Sequence, residues 1–239
     1  MGTNFRGRAM GALLPHGGPD PESARALLAK WFLRGRGIEI GALAAPLRLP
    51  RGARARYVDR APTPALHEQY PELARTALVE PDILDDGQTL ATIAGASQDF
   101  VIANHFIEHC EVPIRAIGNF LRVLRPGGVV YLAIPDKTRT FDRDRPVTPF
   151  SHLLEDEERG PEFSRAGHFL EWARYVDRAP DAEARARELM RRNYSIHFHV
   201  WDKPAMVAFV NSLRVEAGLS FEPALFLDNG VEGIWILRR

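Results

Sequence analysis

The stretch DFVIANHFIEHCEVPIRAIGNFLRVLRPGGVVYLAIPD (residues 99–136) limits the fold more than any other part of the chain. Within it, DFVIANHF (99–106) and GVVYLAIPD (128–136) are continuous apolar runs, the pattern of strands buried on both faces of a parallel sheet. Between them, Ile114, Ile117, Phe120, Leu121 and Leu124 recur at helical spacing, and the PGG at 126–128 closes that helix. Strand, helix, glycine stop and strand make a βαβ unit, for which a right-handed crossover is expected.

The alternation extends in both directions. PESARALLAKWFLR (21–34) sets Ala24, Leu27, Leu28, Trp31 and Phe32 on one helical face, and Gly35 and Gly37 stop it. GIEIGAL (37–43), ARARYVDR (53–60) and TALVEPDI (76–83) read as three short strands, the second ending on Asp59 and the third near Asp82. TPALHEQYPELA (63–74) suits a short helix interrupted at Pro71. Only 13 residues (42–54) separate the first two strands, so a helix there is short or distorted. KPAMVAFVNSLRVEAG (203–218) is a helix, and FEPALFLDN (221–229) and GVEGIWILRR (230–239) suit an antiparallel hairpin. Residues 137–200 break the pattern. They are charged, hold four of the eight histidines (His152, His168, His197 and His199) and include DAEARARELMRR (181–192), whose mixed charges suit a solvated helix face.

The fold class that follows is α/β: a Rossmann-like, doubly wound, mostly parallel sheet with an antiparallel C-terminal hairpin and an inserted cap. Its parts are an N-terminal arm and helix (1–34), a core (35–136), the cap (137–200) and a C-terminal completion of the core (201–239). Residues 1–20, rich in Gly and Pro, read as a loose arm.

Charge and cysteine content narrow the function. With 31 basic against 31 acidic residues, the chain lacks the clustered positive excess that nucleic acid binding needs. Cys110, the single cysteine, excludes an internal disulfide and thiolate-rich zinc or iron–sulfur sites. No apolar run approaches the ~20 residues that span a bilayer, the N-terminus lacks a secretory apolar segment, and Arg6 stands where a myristoylation signal has Ser or Thr. A cytoplasmic protein with a small-molecule substrate and no nucleic acid or membrane partner is expected, and a homodimer is compatible with these features.

In an open parallel sheet, ligands bind beyond the carboxyl ends of the strands. Those ends carry Glu39 and Gly41, Asp59, Asp82, Asn104 and His105, and Pro135 and Asp136. Gly41 permits close approach of a ligand to the backbone, and Asp59, closing the second strand, is placed to accept hydrogen bonds from ribose hydroxyls. These positions suit a nucleoside-type cofactor.

The 99–136 stretch resembles the second half of class I S-adenosylmethionine-dependent methyltransferases, whose fourth strand ends in a segment like NHFIEH and whose next helix closes with one like RVLRPGG. GIEIGALAAPL is similar to that family's cofactor loop after strand one, and YVDR to its acidic end of strand two. The resemblance covers roughly residues 35–136 and implies S-adenosyl-L-methionine as cofactor. It implies that Glu39, Gly41 and Ala42 line the methionine portion and that Asp59 holds the ribose. Asp82 and Ile83 then flank the adenine, and Asn104 and His105 sit beneath the sulfonium. The loop departs from the family in reading G-A-L-A-A-P, poor in glycine, with Pro46 and Pro50 following.

Methyl transfer to a hydroxyl is helped by a general base. Asp136 and the cap histidines His168, His197 and His199 are the candidates, with His152 beside them. No metal is assigned, although His197, His199 and a carboxylate such as Asp202 or Glu171 form a chemically allowed set. The basic residues of IPDKTRTFDRDRP (134–146) either bind an anionic acceptor or form a salt-bridged lid with Asp142 and Asp144. Trp172 and its neighbours read as cap core, and Cys110 as a buried small apolar residue. The reading is an S-adenosylmethionine-dependent methyltransferase that O-methylates a sugar or secondary metabolite. A catalytically silent cofactor- or partner-binding module on the same fold is the alternative. A nicotinamide oxidoreductase is disfavoured, because no G-x-G-x-x-G follows strand one.

Overall fold

The computed structural model describes residues 21–239; the reading of residues 1–20 as a loose arm, and of Arg6 against a myristoylation signal, lies outside them. The described chain opens with helix α1 (Pro21–Phe32) and strands β1 (Gly35–Ile40) and β2 (Ala53–Asp59). Helix α2 (Thr63–Gln69), strand β3 (Ile83–Leu84), strand β4 (Gln98–Asn104), helix α3 (Pro113–Val123) and strand β5 (Leu124–Pro135) follow. Three cap helices come next, α4 (Phe150–Arg159), α5 (Arg165–Tyr175) and α6 (Ala182–Arg191). Helix α7 (Lys203–Val215) and strands β6 (Glu222–Asp228) and β7 (Glu232–Arg238) complete the chain.

The seven strands form one sheet in the order β3-β2-β1-β4-β5-β7-β6. Pairings from β3 to β5 are parallel, and β7 runs antiparallel to both β5 and β6. The order reverses between β1 and β4, so their carboxyl ends flank the switch point at which open α/β sheets take their ligands.

Side chains of β5 alternate between two cores. Val130, Leu132 and Ile134 join Ile114, Ile117 and Phe120 of α3 and Met206, Phe209 and Leu213 of α7 on one face. Val129, Tyr131 and Ala133 join Leu28, Ala29 and Leu33 on the other. Each fully buried Val, Leu, Ile, Phe or Met side chain among them contributes about 1.5–3 kcal/mol. Gly37 lies where β1 and β4 approach so closely that a Cβ would collide with the Phe100 carbonyl and ring.

Several sequence expectations shift in detail. The buried face of α1 is Leu28, Ala29 and, just past the helix, Leu33, whereas Leu27 and Trp31 face outward; Arg25, in the preceding turn, reaches across the sheet to Glu232. The third strand is two residues long and begins after Asp82, because Pro81 has no N–H to give to a ladder. Between β1 and β2 no helix forms, only a turn closed by Ala45 N–H donating to the Ala42 carbonyl. The RPGG segment does end α3, yet β5 already begins at Leu124, with residues 125–128 bulging out between two pairs of the β4–β5 ladder. Gly127 supplies the positive φ of 81° that this bulge requires.

Within residues 137–200, α5, α6 and the chain after them form a satellite core around Phe169, Trp172, Leu189, Ile196 and Phe198, as expected for Trp172, while Tyr175 is exposed and Leu153 of α4 joins the main core. None of the described helices is long and apolar enough to cross a membrane.

Candidate active site

Glu39 reaches the rim near the end of β1 and is 1% exposed. One carboxylate oxygen accepts the Leu47 N–H at 2.8 Å and the other has no hydrogen-bond partner. Burial pushes its pKa up to about 7 against the opposing pull of the Leu47 N–H and the Arg25 charge. Gly41 follows with φ 62°, a left-handed turn that glycine adopts without strain, and its N–H donates to the Val58 carbonyl. Asp59 ends β2, its carboxylate accepting the Arg60 N–H at 2.7 Å, and burial raises its pKa.

The other adenine-side expectations land less neatly. Asp82 is exposed and sits before β3, where it accepts the Tyr57 N–H at 2.8 Å. The carboxyl end of β3 leads instead to Asp85, which is occupied by Thr92 N–H and Oγ1 and the Ala91 N–H. Ile83 is half-buried and packs on the main core.

At the end of β4, both polar atoms of the Asn104 side-chain amide are buried without a partner. His105 adopts φ 49°, and its N–H donates to the Ala133 carbonyl of β5. Its Nε2 lies 2.7 Å from Glu232, a carboxylate that also accepts from Arg25 and Asn229. Burial alone would raise the pKa of Glu232, but the hydrogen bonds from Arg25 and His105 hold it down at about 2. Glu232 and Arg25 were not among the candidates from sequence. The available signal was a lone acidic residue in the apolar run GVEGIWIL.

The cap meets this rim through residues 196–201. Phe198 and His199 N–H groups donate to the Glu108 carbonyl, His109 Nδ1 donates to the Ile196 carbonyl at 2.9 Å, and Trp201 bridges to Asp136 at the end of β5. Spacing had put His197 and His199 on one side of an extended segment; both are buried, and they join two adjoining groups. His197, with Glu108 and His109, forms the group nearer the rim, an atom of each lying within 4.8 Å of the others. Both Glu108 carboxylate oxygens are buried without a partner, and burial raises its pKa.

Asp142 accepts from His197 Nδ1 at 2.7 Å and from Arg145 at 2.8 Å. Burial acts to raise the Asp142 pKa, but the His197 hydrogen bond and the Arg145 charge outweigh it and lower it. Arg145 is itself buried and donates to Glu171 and to the carbonyls of His197 and Phe198. The basic segment after β5 is thus salt-bridged, with Arg178 closing on Asp144 at 2.6 Å.

His168 and His199 form the second group with His152 and Asp156. Asp136, the remaining candidate base, has one oxygen accepting the Thr138 N–H and Oγ1 and the other 3.5 Å from Lys203 Nζ, so it caps a turn. Asp202 caps α7 and Glu171 holds Arg145, which leaves neither beside His199. Cys110 is fully buried, and burial pushes its thiol well up.

A switch-point rim of carboxylates and unpartnered amide atoms is the setting in which residues 36–132 match the family model described as a methyltransferase domain. Over those residues the chain is similar to a methyltransferase domain. No curated protein matches the chain significantly. Among solved structures, the chain is similar to a Rhodobacter sphaeroides protein named as a candidate Zn-dependent alcohol dehydrogenase. The two are 18% identical over 87% of this chain and 85% of that one, at a TM-score of 0.51, a likeness of fold alone. An S-adenosylmethionine-dependent methyltransferase of Aquifex aeolicus matches at 10% identity over 92% and 88% of the two chains, TM-score 0.47. The 1,6-didemethyltoxoflavin-N1-methyltransferase of Burkholderia thailandensis matches at 12% identity over 92% and 76%, TM-score 0.47. S-Adenosylmethionine is the cofactor that a methyltransferase domain implies, and the orphaned Glu39 oxygen and Asn104 amide fit it: a cationic sulfonium and ammonium group seek such acceptors.

Proposed function

We propose that this methyltransferase transfers a methyl group to a hydroxyl of a small molecule, a sugar or secondary metabolite, with His197 as general base. In this reading Glu39, Gly41 and Ala42 hold the methionine end of the cofactor and Asp59 the ribose. Asp82 and Ile83 border the adenine, and Asn104 and His105 lie beneath the sulfonium. When bound, the cofactor supplies an electrophilic methyl carbon.

The observation that carries the reading is the Asp142–His197 contact at 2.7 Å. Nδ1–H donates to the carboxylate, which fixes the tautomer and leaves Nε2 with its lone pair to take the acceptor's proton. Arg145 keeps Asp142 ionised and, through two carbonyls, holds the backbone that carries His197. Phe141, 45% exposed and 4.9 Å from the His197 ring between centroids, gives the acceptor an apolar edge. Glu232 acts as a positioning residue, fixing the His105 ring against the end of β4. Of the other candidate bases, His168 is neutral and enclosed and Asp136 is bonded within its turn, so neither competes with His197.

The test is a panel of hydroxylated acceptors with isotopically labelled S-adenosylmethionine. His197→Gln is expected to lower kcat about 10²–10⁴-fold while leaving cofactor affinity in place. Asp142→Asn is expected to lower kcat less and to shift the pH profile. Wild-type turnover in His197→Gln, or a product methylated on nitrogen or carbon, rejects the reading. A second reading is favoured by the two unpartnered Glu108 oxygens: Glu108, His109 and His197 grip a divalent ion that binds the acceptor oxygen. Loss of turnover in Glu108→Gln, restored by no metal, together with wild-type activity in chelator, rejects that version.

A further inference from the structure

Four side chains that the methyl-transfer reading leaves unused converge in the cap. His152 and Asp156 stand one turn apart on α4, His168 comes from α5 and His199 from the 196–201 segment; an atom of each lies within 4.8 Å of the others. His152 Nε2 is 3.1 Å from His168 Nε2 and 3.3 Å from Asp156 Oδ2, and His199 Nε2 is 3.6 Å from the same oxygen. Asp156 Oδ2 and His199 Nδ1 are buried with no hydrogen-bond partner. We propose that His152, Asp156, His168 and His199 bind one zinc-class divalent ion in a closed, structural site.

Three lines of argument meet here. Spacing comes first. The edge of a tetrahedron is about 1.6 times its centre-to-vertex distance, so ligands ~2.0–2.1 Å from zinc stand ~3.3–3.4 Å apart. The separations among His152 Nε2, His168 Nε2 and Asp156 Oδ2, 3.1 and 3.3 Å, lie at or just under that value, and His199 would ligate through its unpartnered Nδ1.

Proton counting is the second. His152 Nε2 is the near neighbour of both His168 Nε2 and Asp156 Oδ2 and carries at most one proton. Hydrogen bonds among the four therefore leave either the buried carboxylate oxygen or a ring nitrogen without a partner, and a cation at their centre satisfies both. Both His168 and His199 are buried, and an imidazole binds metal in its neutral form.

The third is the surrounding shell. Asp156 Oδ1 accepts from Ser164 Oγ at 2.5 Å, and His199 Nε2 lies 3.3 Å from the Glu111 carbonyl. Such outer contacts orient ligands around metals. Three imidazoles with one carboxylate suit zinc and its neighbours better than magnesium or calcium, which take oxygen ligands. Four protein ligands leave no open position, so the ion ties α4 and α5 to the segment that carries His197.

The site is tested without reference to activity, so its failure and that of the methyl-transfer reading are separable. The full chain is expressed with zinc in the medium, purified without chelator and analysed for bound elements; about one ion per chain is expected at this cluster. Replacement by Co²⁺ should give the intense visible bands of a tetrahedral ion, and chelation should lower the wild-type melting temperature. His168→Gln and Asp156→Asn should each lose one ion per chain relative to wild type, while His67→Gln, outside the cluster, keeps the full complement. Wild-type chain that binds neither Zn²⁺ nor Co²⁺ overturns the proposal whatever the variants do. Undiminished metal in a folded His168→Gln overturns it equally.

Discussion

Replacing Glu39 by Gln should make the cofactor-free protein more stable at neutral and alkaline pH. The Glu39 carboxyl is 1% exposed and titrates near 7, against 4.5 in an unfolded chain. At about 1.4 kcal/mol per pKa unit, that displacement corresponds to about 3 kcal/mol. The sign follows from the proton count. Between pH 4.5 and about 7 the folded chain holds a proton that the unfolded chain has released, so stability falls as pH rises through that window and stays lower above it. Gln keeps an acceptor for the Leu47 N–H but has no charge to desolvate. Urea denaturation of both proteins from acid to alkaline pH should give curves that separate through the window, Glu39→Gln ending about 3 kcal/mol more stable at its upper side. A constant offset across the range would refute the reasoning. The same carboxylate should ionise when S-adenosylmethionine brings its positive charges, so wild-type binding near pH 6 releases protons, measurable as a buffer-dependent enthalpy that Glu39→Gln lacks.

Glu232 carries the opposite sign. Held at about 2 in the folded state, it stabilises above pH 4.5 by about 3 kcal/mol, and that stability is lost as pH falls toward 2. Glu232→Gln should remove this acid dependence and, by freeing the His105 ring, weaken turnover; an unchanged acid limb in denaturation counts against it. Arg145→Ala should cost about 3–5 kcal/mol, because it strands the buried Asp142 carboxylate and unpairs the half-buried Glu171, and the loss should be markedly smaller on an Asp142→Asn background; equal losses on both backgrounds would show that the two do not act as a pair. Gly37→Ala should cost about 1–3 kcal/mol or more by forcing β1 from β4, read as a lowered denaturation midpoint; a wild-type midpoint would mean the strands yield freely.

What the sequence disclosed follows from where periodicity is strong. Strands β4 and β5 are apolar on both faces and α3 has a single greasy stripe, so tertiary context had little left to override. The two-residue β3 was overextended because an edge strand needs few apolar residues, and TALVEPDI offers enough of them to look like more. Leu27 and Trp31 were misassigned for a related reason: the stripe of α1 admits two orientations, and the Arg25–Glu232 ion pair, 207 positions apart in sequence, helps select one. No local pattern reports such a pair. The histidines were legible as a concentration of chemistry, but their division into two groups depends on α4 and α5 delivering His152, Asp156 and His168 to one side of a segment whose other side meets Glu108 and His109.

That division has a mechanical consequence. The 196–201 segment is hydrogen-bonded to the tail of β4 through the Glu108 carbonyl and to the end of β5 through the Asp136–Trp201 bridge, with Lys137 N–H also donating to the Trp201 carbonyl. Arg145 adds two further bonds to its carbonyls from below. A segment tied to two adjacent strands cannot swing as a lid without breaking several buried hydrogen bonds at about 1 kcal/mol or more each. In the proposed reading, the acceptor is then selected by a fixed cleft between this segment and the strand ends. Amide exchange in residues 196–201 should accordingly stay slow with and without cofactor, at the protection of β4 and β5. Exchange in that segment at the rate of exposed loops, slowed only when an acceptor binds, would show the cap to be a moving element and the cleft to be formed by the substrate.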